Sequence, residues 1–143
     1  MDAPVIVTID RDHYQTHVRA GVHEMVADEP SSLGGTDTGP NPYQLLLASV
    51  GTCKAITLRM YADRKGWHLD QVAIALRHER RDADDCDHCP DSPALIDVID
   101  VEIQLSGDLT LMQRERLTEI ADRCPVHRTL TGDLRIETTL IEE

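Results

Sequence analysis

Two of the chain's four cysteines lie in sequence contexts that favour thiol chemistry. Cys53 lies in the apolar stretch "ASVGTCKAIT" and is followed at once by Lys54. A nearby cation lowers the pKa of a thiol, and the thiolate is the nucleophilic form. Successive residues on a helix point about 100° apart, so Lys54 is not aimed at this sulfur. Cys53 is therefore either a reactive thiol activated by a group elsewhere in the fold, or a small core residue.

Cys124 lies in "RCPVHRTL", where Pro125 disfavours helical backbone angles for the residue before it. This predicts that Cys124 sits between two helices and caps the second, whose free N–H groups and positive end favour a thiolate. Three neighbours add donors and positive charge: Arg123, His127 and Arg128. The alternative is a cysteine that is merely tolerated at a helix end. The two cysteines are 71 residues apart (124 minus 53), and the sequence alone does not bring them into contact.

The other two cysteines, Cys86 and Cys89, form "CDHC" in a polar stretch. A single C-x-x-C pair is a weak zinc signal, because a closed structural site needs four ligands; His78 and His88 are the candidates to complete it. Dense acidic charge disfavours a redox pair, since it raises the pKa of a thiol. The remaining interpretation is an exposed acidic loop with two spectator thiols. The acidic residues are Asp82, Asp84, Asp85, Asp87 and Asp91.

Composition excludes several classes of partner. The chain has 143 residues and a formal net charge of -12, from 26 acidic and 14 basic residues. This charge disfavours nucleic acid and anionic membrane surfaces, and 3% aromatic residues leave little for base stacking. No apolar run reaches the roughly 20 residues of a spanning helix, and the N-terminus lacks the basic region of a secretory signal. We therefore expect a cytoplasmic protein whose thiols stay reduced.

The pattern of apolar and turn-forming residues predicts the order βββ-α-ββ-α-α-β. Strands are expected over 4–9, 14–20, 22–27, 70–81, 95–107 and 133–142. Helices are expected from Pro42, capped by Asn41, to Gly66, over 108–124, and in a short turn from Pro125. Strands in consecutive groups favour an α+β fold with antiparallel sheet. We expect one domain over 1–143, with a β meander over 1–27, a loop over 28–42, and the helices and remaining strands over 43–143.

The first predicted helix carries no charge from Leu45 to Thr52, which predicts burial on nearly every side. One small domain offers limited cover for such a helix, so a dimer is expected. Gly51 and Thr52 leave a small-residue gap where a substrate or partner could approach Cys53. The preceding loop contains "LGGTDTGP", a weak candidate for a phosphate-binding loop.

Taken together, "GGTDTGPNPYQLLLASVGTC" and the later "CPVHRTL" resemble the OsmC/Ohr family, which contains the organic hydroperoxide reductases. The resemblance covers almost the whole chain. It implies an antiparallel sheet wrapped with a long central helix, in an intertwined homodimer whose active sites lie at the subunit interface. It also implies thiol peroxidase chemistry that requires no metal or flavin.

By this resemblance, Cys53 is the peroxidatic cysteine, which a hydroperoxide oxidises to a sulfenic acid, and Cys124 is the resolving cysteine. The two would condense to a disulfide, which a dithiol reductant of the lipoyl type then opens.

The sequence departs from the organic hydroperoxide reductases at one position of the resemblance. They carry a Glu ten residues before the first cysteine, paired with an Arg from the N-terminal sheet, and here Tyr43 takes its place. Arg11 and Arg19 are both candidates for the activating Arg. The chain therefore resembles a general OsmC-like branch. The alternative function is a non-enzymatic dimer that binds a small apolar ligand and uses its cysteines only for packing.

Overall fold

The computed structural model of the protein describes residues 3–82 and 95–142. It is an α+β structure with antiparallel sheets and three α-helices in the described ranges, as predicted. Two compact units divide between Leu47 and Ala48, and are called here the N-terminal and C-terminal units. The expectation of a single domain over the whole chain stays a prediction.

The N-terminal unit contains a three-stranded meander. Its strands are β1 (Val5–Ile9), β2 (Thr16–Ala20) and β3 (His23–Ala27), paired antiparallel in that order. Gly21 lies in the tight turn between β2 and β3 with a φ of +63°, which glycine adopts without strain. β-Branched residues in short runs separated by turns predicted this arrangement, and the strand limits agree to within two residues.

One carboxylate organises the loop that follows β3. Asp28 is buried, and its oxygens accept hydrogen bonds from the hydroxyls of Thr36 and Thr38, each at 2.6 Å, and from three backbone N–H groups. The hydrogen bonds from Thr36 and Thr38 hold the pKa of Asp28 far below its ordinary value of 3.8. Backbone N–H groups that a phosphate loop would offer to a ligand point instead at this side chain. The phosphate-loop prediction is therefore wrong.

The first helix, α1 (Pro42–Lys65), has the predicted ends. Asn41 Oδ1 accepts from the Gln44 N–H at 2.8 Å, and Gln44 Oε1 accepts from the Asn41 N–H at 2.9 Å. This reciprocal pair satisfies donors that the first helical turn cannot use. At the other end Gly66 adopts a φ of +68°, the left-handed conformation that commonly terminates helices.

Burial along α1 differs from the prediction. Its buried residues recur at helical spacing on one side only: Val50, Gly51, Lys54, Leu58 and Ala62. Within the segment expected to be buried all round, Ala48, Ser49 and Thr52 are exposed, and farther along Ile56 and Met60 are exposed as well. The absence of charge from Leu45 to Thr52 therefore leaves an open face on this single chain rather than an enclosed helix.

The C-terminal unit is built on a long hairpin and two further helices. β4 (Gln71–Asp82) pairs antiparallel with β5 (Leu95–Ser106), with Ile74 opposite Ile103. Next comes α2 (Leu111–Ala121), capped by a reciprocal pair between Thr110 and Gln113, and then α3 (Pro125–Thr131). The core combines residues of α1 and α2 with Leu69: Leu58, Ala62, Leu69, Leu117, Ile120 and Ala121.

The last predicted element is where the structure departs from the expected order. Residues 133–142 form neither helix nor strand, although apolar residues recur along them. Ile136, Leu140 and Ile141 are 86%, 92% and 86% exposed. A strand exists only where a neighbouring strand supplies hydrogen bonds, and no strand within 3–82 and 95–142 pairs with this segment.

Candidate active site

Cys53 lies midway along α1, where the helix packs closely on the hairpin. A Cβ built on Gly51 would lie 2.7 Å from Cδ1 of Leu76 in β4, so the glycine permits the approach of helix and strand. The gap predicted at Gly51 is therefore filled by Leu76 rather than open to a substrate. Cys53 itself is partly exposed and its thiol is free.

Cys124 lies at the corner between α2 and α3, as predicted. Its backbone is extended, with φ -64° and ψ 142°, and Pro125 is the first residue of α3. Its Sγ accepts a hydrogen bond from the His127 N–H at 3.4 Å, which makes the sulfur the N-cap of α3. The residue is 0% exposed.

The fold brings the two cysteines together. The side chains of Cys53 and Cys124 are close enough to interact, although 71 residues (124 minus 53) separate them in the chain. Both are free thiols, one partly exposed and the other fully buried. Cys53 is therefore the more accessible of the two sulfurs to a reagent from solvent.

Lys54 is buried beside this pair, with its side chain 2% exposed. Its Nζ donates to the Ala121 carbonyl oxygen at 3.0 Å and to Asp122 Oδ1 at 3.3 Å, and lies 2.9 Å from Nδ1 of His127. An ammonium has three hydrogens to donate and no acceptor. Because an ammonium can only donate, Nδ1 of His127 accepts in this contact.

The surroundings of Cys124 act on its thiol in opposite directions. Burial raises the pKa of Cys124 above its ordinary value, and the interaction with Cys53 adds to the rise. The His127 N–H and the positive charge of Lys54 both lower it, without reversing the net rise. Cys124 is therefore held as a thiol at neutral pH, close to groups that favour its anion.

The predicted activating residues lie in the N-terminal unit. Arg19 is in β2, opposite Ile6 of β1 and Glu24 of β3, and Arg11 is exposed in the turn after β1. Their action on Cys53 stays a prediction. Tyr43 lies in the first turn of α1 with more than half of its surface exposed.

The other sequence candidates lie at the surface, outside the described residues, or beside other partners. Arg123 and Arg128, predicted to add positive charge near Cys124, are exposed. Cys86 and Cys89 lie outside the described residues, so the zinc prediction is not tested there. Within 3–82 and 95–142, no group of three His, Cys, Asp or Glu residues is arranged to hold a metal ion. His78, a suggested partner for that zinc, lies 2.8 Å from Asp97 Oδ1.

Sequence reasoning missed the contacts of Lys54 and Asp122. The sequence points to Lys54 only as the neighbour of Cys53. The available signal was its position: a lone charge directly after an uncharged stretch from Leu45 to Cys53. A cation on the apolar face of a helix must find acceptors inside the protein, and helix ends supply free carbonyl groups.

The N-terminal unit also has an apolar groove of about 360 Å³. Its lining includes Val7, Ile9, Tyr14 and Leu45.

None of the helices in the described part of the chain has the length and apolar character needed to cross a membrane.

Comparison with known proteins identifies the family. Residues 35–139 match the OsmC-like protein family. A protein of Haloferax volcanii with no assigned function is 28% identical over 119 residues, covering 81% of this chain and 83% of its own.

The structure of an OsmC-like protein from Mycoplasma pneumoniae has a TM-score of 0.68 at 18% identity, covering 99% of this chain and 100% of that one. An organic hydroperoxide resistance protein from Legionella pneumophila has a TM-score of 0.62 at 20% identity, covering 92% of each chain. At these identities the structural likeness shows the fold, and the match over 35–139 shows that the chain belongs to the OsmC-like protein family.

Proposed function

We propose that the protein is a thiol-dependent peroxidase that reduces organic hydroperoxides through Cys53 and Cys124. The observation that carries this proposal is the contact between two free thiols of unequal exposure. A partly exposed sulfur meets the substrate, and a buried one beside it reacts with the product of that encounter. The name of the Legionella pneumophila protein, organic hydroperoxide resistance protein, supports the substrate class.

In the first step the Cys53 thiolate attacks the terminal oxygen of the hydroperoxide. An S–O bond forms and the O–O bond breaks, so that sulfur is oxidised and the peroxide is reduced. The departing alkoxide takes up a proton and leaves as the alcohol, while Cys53 becomes a sulfenic acid. Arg11 or Arg19 is the proposed activator of this thiolate, because a nearby cation favours the charged form of a thiol.

In the second step Cys124 resolves the sulfenic acid. Its sulfur attacks Sγ of Cys53, the S–S bond forms as the S–O bond breaks, and the departing hydroxide leaves as water with the proton from Cys124. A dithiol of the lipoyl type then reduces the disulfide by exchange and is itself oxidised to a disulfide. The proposed cycle uses no metal or flavin, and we place it in the cytoplasm, where thiols stay reduced.

We propose that the working form is a homodimer. Ile56 and Met60 of α1 are exposed in the single chain, as are the apolar residues of 133–142. A second copy would cover these surfaces and could supply a strand partner for the C-terminal segment, which has none among the described residues.

Turnover of cumene hydroperoxide with a lipoyl dithiol tests the peroxidase proposal. We expect Cys53→Ser to abolish turnover. Cys124→Ser should form the sulfenic acid but not the disulfide, so that mass spectrometry shows Cys53 progressing to higher oxidation states. The matched control is Cys86→Ser with Cys89→Ser, which should keep wild-type turnover. Full activity of Cys53→Ser, or failure of the wild type to consume hydroperoxide, would refute the proposal.

The apolar groove of the N-terminal unit supports a second candidate, a protein that binds a small apolar ligand. Wild-type protein whose thiols are inert to peroxide, together with saturable binding of an apolar fluorophore that Val7→Asp abolishes, would favour this function.

A further inference from the structure

Lys54 is a buried cation whose hydrogen-bonding capacity is completely used. Its three partners are Ala121, Asp122 and His127, at 3.0, 3.3 and 2.9 Å. Asp122 is the only one of the three with a charged side chain, and that side chain is 74% exposed. The ammonium is therefore held mainly by groups that do not cancel its charge inside the protein.

The three partners flank Cys124 along the chain. Ala121 and Asp122 end α2 just before Cys124, and His127 follows it in the first turn of α3. Lys54 thus binds both sides of the corner that carries the buried thiol. Because Lys54 directly follows Cys53 on α1, the same side chain ties that corner to the helical turn that carries the other thiol.

Packing alone does not account for a charge at this position. Moving an ammonium out of water is costly, and a buried ion pair is often replaced by apolar side chains of similar volume without loss of stability. A methionine, which is also unbranched, would fill the same space. The positive charge therefore has a use beyond filling the core, and Cys124 is the neighbouring group that becomes an anion when it reacts.

We propose that Lys54 is the positioning residue for the second thiol: it holds the α2–α3 corner against α1 and stabilises negative charge on Cys124. This inference rests on the proposed function and deepens it. In the resolution step Cys124 loses its proton, its sulfur bonds to Cys53 Sγ, and the Cys53 S–O bond breaks. The hydroxide that leaves takes up a proton and becomes water, so that the Cys124 sulfur is oxidised and the Cys53 sulfur is reduced. Lys54 acts on the anion formed by that proton loss and takes no part in the bonds.

A titration tests the charge effect without any peroxide. In a Cys53→Ser, Cys86→Ser, Cys89→Ser background Cys124 is the only thiol, and thiolate absorbance in the ultraviolet follows its ionisation. We expect Lys54→Met to raise the midpoint of this titration by about 1 pH unit or more. The matched control is Lys65→Met, which changes the chain's other lysine, an exposed residue at the end of α1. Equal midpoints for the two variants would overturn the proposal.

Asp122→Asn provides an independent test that keeps the buried lysine and alters only an exposed carboxylate. Removing this negative charge leaves the ammonium less compensated, so the Cys124 midpoint should fall at low salt. An unchanged or raised midpoint of the Cys124 titration contradicts the proposal. This test does not depend on whether Lys54→Met folds.

The positioning effect is measured in protein that keeps all its cysteines. After a single addition of hydroperoxide, Lys54→Met should close the Cys53–Cys124 disulfide at least about tenfold more slowly than Lys65→Met. Lys54→Arg should recover part of that loss and return the pH profile toward that of the wild type. Normal closure in Lys54→Met would overturn the positioning role. If the wild type fails to react with hydroperoxide, the proposed peroxidase fails, whereas the titration still decides whether Lys54 stabilises the anion.

Discussion

Two buried charges, one in each unit, are stabilised in different ways. Asp28 in the N-terminal unit takes all its hydrogen bonds from residues within ten positions along the chain, and every donor is uncharged. Lys54 in the C-terminal unit takes its partners from residues 67 to 73 positions away, beside a thiol. Asp28 therefore shapes the loop to which it belongs, while Lys54 joins separate parts of the fold next to a group that can react.

This difference predicts which property each charge controls. The hydrogen bonds of Asp28 close within one loop, so its removal should lower stability and leave thiol reactivity alone. The charge of Lys54 lies near Cys124, so its removal should change thiol reactivity whether or not stability changes.

The largest effect on stability should come from shortening Lys54. Lys54→Ala leaves a cavity in the core and frees the Ala121 carbonyl group, at an expected loss of about 2–4 kcal/mol in the free energy of unfolding. Lys54→Met fills most of the space but frees the same carbonyl group, so it should cost less than Lys54→Ala, about 1–2 kcal/mol. Urea denaturation of both variants checks this. An equal loss of stability in Lys54→Met and Lys54→Ala would mean that the ammonium itself stabilises the fold. Lys54 would then, like Asp28, serve mainly to stabilise the structure.

Asp28→Asn should have the next largest effect. The new amide group would face the hydroxyl and N–H donors of Thr38, so we expect lower stability than the wild type at neutral pH. Because folding lowers the pKa of Asp28, its contribution is present above the ordinary value of 3.8 and is lost as the pH falls below it.

The stability difference between the wild type and Asp28→Asn should therefore shrink in acid, as measured by urea denaturation at several pH values. Asp10→Asn, at an exposed position in the same unit, is the matched control and should change little. A difference that stays constant down to low pH would show that the carboxylate is not the source of the effect.

The smallest effect is expected for an exposed ion pair. Arg77 and Glu102 approach to 3.2 Å across the hairpin, and both side chains are largely in solvent. Glu102→Gln should change the free energy of unfolding by no more than about 0.5 kcal/mol, because water and salt screen such pairs. A thermal melt at low and high salt is sufficient to measure this. A larger loss would mean that the hairpin depends on charges at its surface.

Elements with local signals could be predicted from the sequence. Asn41, which accepts from the Gln44 N–H, and Gly66 delimit α1 as predicted, whereas α2 begins at Leu111 after the Thr110 cap and not at the predicted residue 108. These contacts form between residues close in the chain, so the amino-acid sequence alone predicts them.

The features that could not be predicted depend on residues far apart in the chain. The contact between Cys53 and Cys124, the acceptors of Lys54 and the close approach of Gly51 to Leu76 all require the folded core. The angle of about 100° between neighbouring helical residues predicts that Lys54 points away from Cys53. It does not predict that Lys54 contacts the residues between α2 and α3. The strand predicted over 133–142 was wrong for a related reason. Its pattern of apolar residues is local, whereas the hydrogen bonds of a strand come from residues elsewhere in the chain.

The sulfur of Cys124 also begins a helix, which links the oxidation state of the protein to local order. The first turn of α3 relies on that atom as the acceptor for the His127 N–H. A thiolate accepts such a bond more strongly than a thiol, because a charged partner strengthens a hydrogen bond. A disulfide sulfur carries no such charge. The thiolate and the disulfide should therefore differ in how firmly α3 is wound, so that a partner molecule could distinguish them without touching either sulfur.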